Sequence, residues 1–327
     1  IQSRGLSSQG SSYFAAKNPP FGATFTYYLK EAPKTRRQIR QEKDAELFKE
    51  GKPIPQPSVD ELRAEEREEK PHLLFTIADA SGQVVRTVAA RAGKGFNRVT
   101  WDLRYAPTTP VQLKNNTFDP LAESRGGVLA MPGPYTVSMA LVSDGQTKPL
   151  AGPVPFETVA LANATLPAPD RAELVAFQKQ AAELARTMMG SERLADEMFK
   201  RLAHIRQALA ATPGAPPALS EQARKLALEL DQVLFSFRGQ EAKASAEEIP
   251  PAAVPLNDRL SAITYSMWRS TSKPTGTART AYEILQQEFP PMLQTITRIH
   301  GTDLPQLERE IEAAGAPWTP GRLPVLK

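Results

Sequence analysis

In the stretch "DRAELVAFQKQAAELARTMMGSERLADEMFKRLAHIRQALAA", Asp170–Ala211, small and apolar residues recur at alternating steps of three and four. This spacing places them on one face of an α-helix. Gly190 lies within the register and does not disturb it. The pattern therefore predicts one helix of about 40 residues, on the order of 60 Å long at 1.5 Å per residue, with a coiled-coil-like seam. The seam residues are Leu174, Phe177, Ala181, Leu184, Met188, Ser191, Ala195, Met198, Leu202, Ile205 and Leu209.

Three further apolar stripes follow the long helix. They are Leu226, Leu230, Val233 and Phe237; Leu256, Leu260, Ile263 and Met267; and Leu285, Phe289, Met292, Ile296 and Ile299. Ser220 is predicted to cap the first of these helices, and Pro290-Pro291 is predicted to kink or restart the last. Tyr265 and Trp268 are expected to pack in the bundle with an amphipathic rim. Together the stripes predict an antiparallel helical bundle over residues 166–315, followed by an extended tail over 316–327.

Residues before the long helix alternate in the way that β-strands do. The strand candidates are "FGATFTYYLK", the hairpin "HLLFTIADASGQVVRTVAA", "GFNRVTWDLRY" and "MPGPYTVSMALVSDGQTKPLAGPVPFETVAL". Short strands with Pro/Gly turns favour an antiparallel immunoglobulin-like β-sandwich, here over residues 19–165. Trp101 alternates with Val99 and Leu103, which favours a core position over a carbohydrate platform beside Asp102. The fold class predicted is α+β.

Two segments of the N-terminal half do not fit the sandwich pattern. Residues 1–18 are rich in Ser and Gly and are expected to form an extended arm. Residues 31–70 are a charged insertion, predicted to form one or two exposed helices, with Ser58 or Asp60 as a helix cap. The insertion is too polar to build a core.

Composition excludes several classes of function. The chain has 327 residues, 41% of them apolar and 23% charged, with 30 prolines and no cysteine. The lack of cysteine excludes disulfides, thiol nucleophiles and thiolate metal sites. The net charge of +4 is spread over interleaved acidic and basic residues, so no nucleic-acid partner is predicted; the basic stretch Lys34–Lys43 is better explained as an exposed helix turn. There is no apolar run of about 18 residues, so no membrane span is predicted.

The sequence shows no recognisable catalytic apparatus. The three histidines, His72, His204 and His300, share no helix face at ligand spacing, and no phosphate loop, nucleophile elbow or dinucleotide fingerprint occurs. We therefore predict no catalytic residue, no cofactor and no metal. A glycosidase needs only two carboxylates across a cleft, so an enzymatic role stays open. The carboxylates of the insertion are expected to form solvated pairs on an exposed helix; they are Glu61, Glu65, Glu66, Glu68 and Glu69.

Five stretches carry a resemblance to a known family. They are "NPPFGATFTYYLK", "VDELRAEEREEKPHLLFTI", "GFNRVTWDLRY", "MPGPYTVSMAL" and "EAAGAPWTPGR". In this order they resemble the C-terminal region of large secreted bacterial proteins with sortilin-like propellers, often labelled glycosyl hydrolases or Asp-box repeat proteins. The resemblance covers nearly the whole chain from Asn18 onward. It implies that a long β-propeller precedes Asn18 and that this chain, which starts at Ile1 and not at Met, is the tail of a larger protein.

The chain departs from that family in one respect that matters for function. No S-x-D-x-G-x-T-W box occurs in it, so no catalytic residue can be transferred from the family. We expect a non-catalytic interaction module that binds the propeller, another envelope protein or a glycan, and that is secreted, periplasmic or on the cell surface. One alternative is a part of a glycan-hydrolysing enzyme or peptidase whose active site lies mainly in the missing propeller. Another is a structural subunit of an extracellular assembly.

Overall fold

The structure, a computed structural model, describes residues 18–122, 126–161, 166–268 and 270–325. The predicted arm over 1–18 therefore lies outside the described residues except for Asn18. The described residues form an α+β protein with two antiparallel sheets. Contacts divide them into two units. The sheet unit comprises residues 18–104, 120–122 and 132–159, and the helix unit comprises 105–119, 126–131, 160–161, 166–268 and 270–325.

The sheet unit contains six strands among its described residues. They are β1 (Ala23–Leu29), β2 (His72–Asp79), β3 (Val84–Arg91), β4 (Gly95–Trp101), β5 (Gly133–Ser143) and β6 (Gln146–Thr158). One sheet has the order β3-β2-β5-β6 and the other pairs β1 with β4, all antiparallel. The predicted hairpin is confirmed as β2–β3. A second hairpin joins β5 and β6 through Asp144 and Gly145, both with positive φ.

Aromatic side chains from the two sheets form the core of the sheet unit. Trp101 on β4 is fully buried, and its ring centroid lies 5.2 Å from that of Tyr135 and 6.1 Å from that of Phe156. Phe25 on β1 stacks on Phe75 of β2 at 6.3 Å. The indole of Trp101 donates to the carbonyl oxygen of Arg104 at 2.9 Å, which satisfies its buried N–H. The prediction that Trp101 is a core residue is confirmed.

Gly22, just before β1, is required by close backbone approach. Its φ is +138°, and a Cβ atom there would lie 1.9 Å from the carbonyl oxygen of Trp101. Only a residue without a side chain permits this contact. The glycine of "NPPFGATF" thus lets the chain enter β1 directly beside the end of β4.

Two helices of the sheet unit interrupt the strands. They are α1 (Arg36–Lys49) and α2 (Val59–Arg67), and neither contains a buried residue. The prediction that residues 31–70 form exposed helices and do not build a core is confirmed.

The helix unit contains five α-helices among its described residues. They are α3 (Arg171–Ala210), α4 (Pro217–Arg238), α5 (Leu256–Met267), α6 (Gly276–Arg298) and α7 (Leu304–Ala313). The predicted long helix is confirmed as α3, which has 40 residues and runs unbroken through Gly190. Asp170 caps it by accepting from the backbone N–H groups of Ala172 and Glu173. Ten of the eleven predicted seam residues are buried, and Leu184 packs against the same core.

The Ser220 cap predicted for α4 is wrong, and of the two outcomes predicted for Pro290-Pro291, a kink or a restart, the restart is wrong. Helix α4 begins at Pro217, and Ser220 lies in its first turn instead of capping it. Proline fits that position because its fixed φ and missing N–H are tolerated at a helix start. Helix α6 does not restart at Pro290-Pro291, because Phe289 and Ile296, on either side of the pair, are held in the bundle core. Tertiary packing there outweighs the local preference of proline.

The end of the bundle contains features that the pattern did not indicate. A single π-helical turn, Ile299–Asp303, joins α6 to α7. Residues 316–325, predicted as an extended tail, contain no helix or strand and are anchored to the bundle. The buried guanidinium of Arg322 donates to the carbonyl oxygens of Ala316 and Pro317, both at 3.1 Å, and pairs with Glu312. The indole N–H of Trp318 donates to the backbone carbonyl oxygen of Arg322 at 2.8 Å, while Trp318 stays exposed.

Candidate interaction surface

The starts of both helices in the insertion are set by local side-chain contacts. Thr35 and Gln38 form a complete capping box at α1, with the Thr35 hydroxyl accepting from the backbone N–H of Gln38 at 3.2 Å and the Gln38 side chain accepting from that of Thr35 at 2.9 Å. Ser58 and Glu61 form a second box at α2, at 3.2 and 2.7 Å. Each box satisfies two backbone donors that a helix start leaves unpaired. Ser58, and not Asp60, is therefore the cap of α2.

An ion pair joins the two helices of the insertion. The guanidinium of Arg40 donates two hydrogen bonds to the carboxylate of Glu65, at 2.6 and 2.9 Å, and a third to Asp44 at 3.2 Å. The Glu65 side chain is only 9% exposed. Its hydrogen bond to Arg40 lowers the pKa of this carboxyl, and the same contact raises the pKa of Arg40. Glu65 forms an ion pair as predicted, but the pair is less solvated than predicted, because the Glu65 side chain on α2 faces α1.

The insertion is also tied to the sheet. Arg36, at the first position of α1, pairs with Asp144 in the β5–β6 turn at 2.5 Å. The backbone N–H of Arg36 donates to Glu68 at 2.7 Å, so Glu68 holds the end of α2 against the start of α1. Polar contacts thus fix the insertion both internally and relative to the strands.

The insertion carries five large apolar side chains that are exposed. We call these five residues the insertion surface; they are Ile39 (56% exposed), Phe48 (75%), Ile54 (48%), Val59 (72%) and Leu62 (40%). A surface helix of a globular protein usually turns such residues toward the core. Here four of them lie on well-capped, ion-paired helices that bury no residue, and Ile54 lies in the loop between those helices. This arrangement is suited to contact with another molecule.

The helix unit has two recesses, and each contains a carboxylate that is engaged in an ion pair. One recess of about 500 Å³ is lined by α3 and α6, and its Glu183 pairs with Arg186. A second, of about 380 Å³, contains Asp196, which pairs with Lys200 and Arg238. The hydrogen bond from Lys200 is the main cause of the lowered pKa of Asp196. A general acid needs a raised carboxyl pKa, so these contacts are typical of structural ion pairs.

The three histidines lie on three different elements, which are β2, α3 and the π-helical turn after α6. His72 is buried, with its Nδ1 atom 3.2 Å from the carbonyl oxygen of Lys70, whereas His204 and His300 are exposed on helices of the other unit. Across the described parts of the chain, no group of three or more His, Asp or Glu side chains could hold a metal ion. No helix in those parts has the length and apolar character needed to cross a bilayer.

Tyr265 and Trp268 were both predicted to pack in the bundle. Trp268 packs against the core as expected, whereas Tyr265 is 70% exposed.

The signals for the insertion contacts were present in the sequence as Thr-x-x-Gln and Ser-x-x-Glu patterns, whereas nothing local indicated that Arg40 and Glu65 would meet. Comparison of the chain with protein families, with curated proteins and with solved structures finds no match.

Proposed function

We propose that the chain is a non-catalytic interaction module that binds a protein partner through the insertion surface. The observation that carries this proposal is the exposure of Phe48 and Val59 on helices that bury no residue of their own. Short helices are marginal in water unless an apolar face is packed. Burial of these side chains against a partner would supply the packing that the chain itself does not provide.

The strand order supports an immunoglobulin-like sandwich as the carrier of this surface. The four-stranded order β3-β2-β5-β6 corresponds to strands C′-C-F-G of that fold, and the β1–β4 pair corresponds to B-E. The buried tryptophan lies on the strand that corresponds to E and not on C, which is a departure from antibody domains. Sandwich domains of this architecture are common in cell-surface proteins.

We place the module in a secreted, periplasmic or cell-surface protein of the sortilin-like propeller type. Support comes from the resemblance of the five stretches, of which "NPPFGATFTYYLK" covers β1 and "EAAGAPWTPGR" covers the anchored tail. The partner is the propeller portion of the same precursor or another envelope protein. Whether a parent protein is a hydrolase is a separate question, since its active site would lie in that propeller.

Site-specific photo-crosslinking tests the proposal. A photoreactive phenylalanine analogue replaces Phe48 in the protein produced in its native host, and the products are mapped by mass spectrometry. The control carries the analogue at Leu228, which is 52% exposed on α4. We expect one dominant cross-linked polypeptide from position 48 and none from position 228. The double variant Val59→Ser/Leu62→Ser should reduce its yield.

Two results would count against the insertion surface. One is the absence of a cross-linked protein from position 48 in cells that contain all envelope proteins. The other is an equal pattern of products from positions 48 and 228, which would indicate random collisions. Retention of full cross-linking in the Val59→Ser/Leu62→Ser variant would likewise show that the partner contacts another face.

A further inference from the structure

The β1–β4 pair has one face that is turned away from the core of the sheet unit. Its other face carries Phe25 and Trp101, which pack on aromatic side chains of the larger sheet. Side chains alternate along a strand, and directly opposite residues share a face, so the register of the pair fixes which residues lie together on the outward side. We call these six residues the outer face; they are Thr24, Thr26 and Tyr28 on β1, with Thr100, Arg98 and Phe96 opposite them on β4.

Contacts between side chains show that the outer face is continuous. The hydroxyl oxygens of Thr24 and Thr100 are 3.0 Å apart. Further along the pair, the ring centroids of Tyr28 and Phe96 are 5.1 Å apart, with the rings tilted by 56°. Phe96 is 82% exposed and Tyr28 is 57% exposed. The outer face therefore has a hydroxyl end and an aromatic end, with Arg98 between them.

The charge of the two strands is positive only. Residues 22–30 and 94–101 contain three cations and no carboxylate. Arg98 is exposed in the middle of the outer face, and Lys30 and Lys94 are exposed beside its aromatic end. Among the described residues, none of these three cations has an ion-pair partner, whereas Arg36 and Arg40 of the insertion both have one. Clustered cations that are not neutralised attract an anionic ligand.

Neighbouring segments supply too little negative charge to neutralise these cations. Glu31 and Asp102 follow the two strands in the chain, but neither belongs to the outer face, and Asp102 is engaged by a backbone N–H at 3.2 Å. Residues 1–17, which lead into β1, contain Arg4 and Lys17 and no aspartate or glutamate. This leading segment therefore offers no negative charge for the outer face.

We propose that the outer face binds an acidic polysaccharide, a chain of pyranose sugars that carry carboxylate groups. The rings of Tyr28 and Phe96 offer π-faces for the C–H groups of a sugar ring. The guanidinium of Arg98 matches a carboxylate in a bidentate contact. Threonine hydroxyls both donate to and accept from sugar hydroxyls. This binding is separate from the protein contact proposed for the insertion surface, and neither depends on the other.

Single-stranded nucleic acid is another anionic polymer that binds to aromatic residues on a sheet, but the outer face matches it less well. Nucleic acid carries a phosphate on every nucleotide, so its binding grooves follow the backbone with positive charge and stack successive bases on aromatic rings. On the outer face there is a single arginine, and its two rings contact each other. Three threonines beside one guanidinium suit a ligand that is rich in hydroxyls and less densely charged.

Isothermal titration calorimetry of the full chain with polygalacturonate tests the proposal, at about 0.15 M salt so that long-range attraction is screened. Arg98→Ser should raise the dissociation constant about tenfold or more, because it removes hydrogen bonds to a charged group. Phe96→Ala should raise it about fivefold through loss of ring contact. Thr26→Glu should abolish binding, since it places a carboxylate directly opposite Arg98.

Matched variants and ligands separate this site from general charge attraction. Arg206→Ser removes an exposed arginine from α3, and Phe118→Ala removes a phenylalanine that is 63% exposed. Both should leave the dissociation constant unchanged. Poly-L-glutamate carries carboxylates without sugar rings and should bind at least about tenfold more weakly than polygalacturonate, because it cannot use the aromatic end.

Several results would overturn the proposal. One is the absence of heat of binding with polygalacturonate, and another is an equal loss of affinity in Arg98→Ser and Arg206→Ser, which would mean that only net charge matters. Full binding by Thr26→Glu, with circular dichroism showing an intact fold, would place the ligand on another surface. Tighter binding of a thymidine oligonucleotide than of polygalacturonate, weakened by Phe96→Ala, would assign the outer face to nucleic acid instead.

Discussion

Helices α3 and α1 belong to the same chain but obtain their order from different interactions. Helix α3 buries fifteen of its 40 residues, among them Met198 and Leu202, in the core of the helix unit. Helix α1 buries none of its 14 residues and is held by a capping box, by Arg40–Glu65 and by Arg36–Asp144. The first helix contributes stability. The second is ordered by polar contacts, while its Ile39 and Phe48 side chains stay exposed.

The largest expected difference concerns the buried stripe of the bundle. Leu230 on α4 is fully buried, and Leu228 on the same helix is 52% exposed. Leu230→Ala should lower the free energy of unfolding by about 2–5 kcal/mol, because it removes core contacts and leaves a cavity. Leu228→Ala should change it by less than about 0.5 kcal/mol. Urea denaturation measures both, and equal losses would show that burial does not distinguish the two positions.

Removal of matched helix caps should have different effects in the insertion and in the bundle. Thr35 caps α1 and Thr275 caps α6, each by accepting from the backbone N–H three residues later. Removing such a cap costs about 1 kcal/mol of helix stability. Thr275→Ala should lower the midpoint of global unfolding, because α6 is part of the core. Thr35→Ala should speed amide exchange in α1 and leave that midpoint unchanged.

Observation of the same fall in the midpoint for both variants would remove the distinction. It would mean that α1 unfolds together with the strands, and that the insertion contributes to stability in spite of its exposure.

Gly190 allows the helix propensity inside α3 to be raised without any change in the core. It has an ordinary helical φ, and a Cβ atom there would meet no heavy atom within 4 Å. Gly190→Ala should therefore stabilise the protein by about 0.5–1 kcal/mol, through the higher helix propensity of alanine. Gly22→Ala should do the opposite, because its Cβ would collide with the Trp101 carbonyl. Thermal unfolding of both variants checks the two signs.

The smallest expected effect is a pH dependence of the contact between α1 and α2 in the insertion. The pKa of Glu65 is lowered in the folded protein by Arg40. A lowered carboxyl pKa contributes stability above its unfolded value, near 4.5, and that contribution is lost as the pH falls through the folded value. The amide NMR shifts around Arg40 and Glu65 in α1 and α2 should therefore change on acidification only below the pH at which an ordinary glutamate titrates. Glu65→Gln should remove the transition, and an unchanged titration in that variant would exclude Glu65 as its cause.

The predictions that succeeded rest on periodicity. Helix α3 and the β2–β3 hairpin follow from spacing that can be counted along the chain, because burial on one face imposes that spacing. The start of α4 and the continuity of α6 through Pro290-Pro291 could not be read in the same way. Local propensity competes there with packing against residues far away in the sequence.

The contacts of the candidate site likewise divide into those that the sequence indicated and those that it did not. Both capping boxes join residues three apart, so Ser58 was identifiable, and the charge of the insertion indicated exposure. The bidentate contact of Arg40 with Glu65 joins residues 25 positions apart, and any of several carboxylates on α2 had the right chemistry for it.

The sequence by itself therefore determined the α+β composition, the 40-residue helix and the polar character of the insertion, since each depends on neighbours within a few turns or strand positions. Only the tertiary structure decided that Glu65 faces Arg40, that Arg322 anchors the C-terminal segment, and that β1 pairs with β4. Those outcomes depend on which distant segments pack together, and the packing energy is spread over many weak contacts that no local sequence pattern indicates.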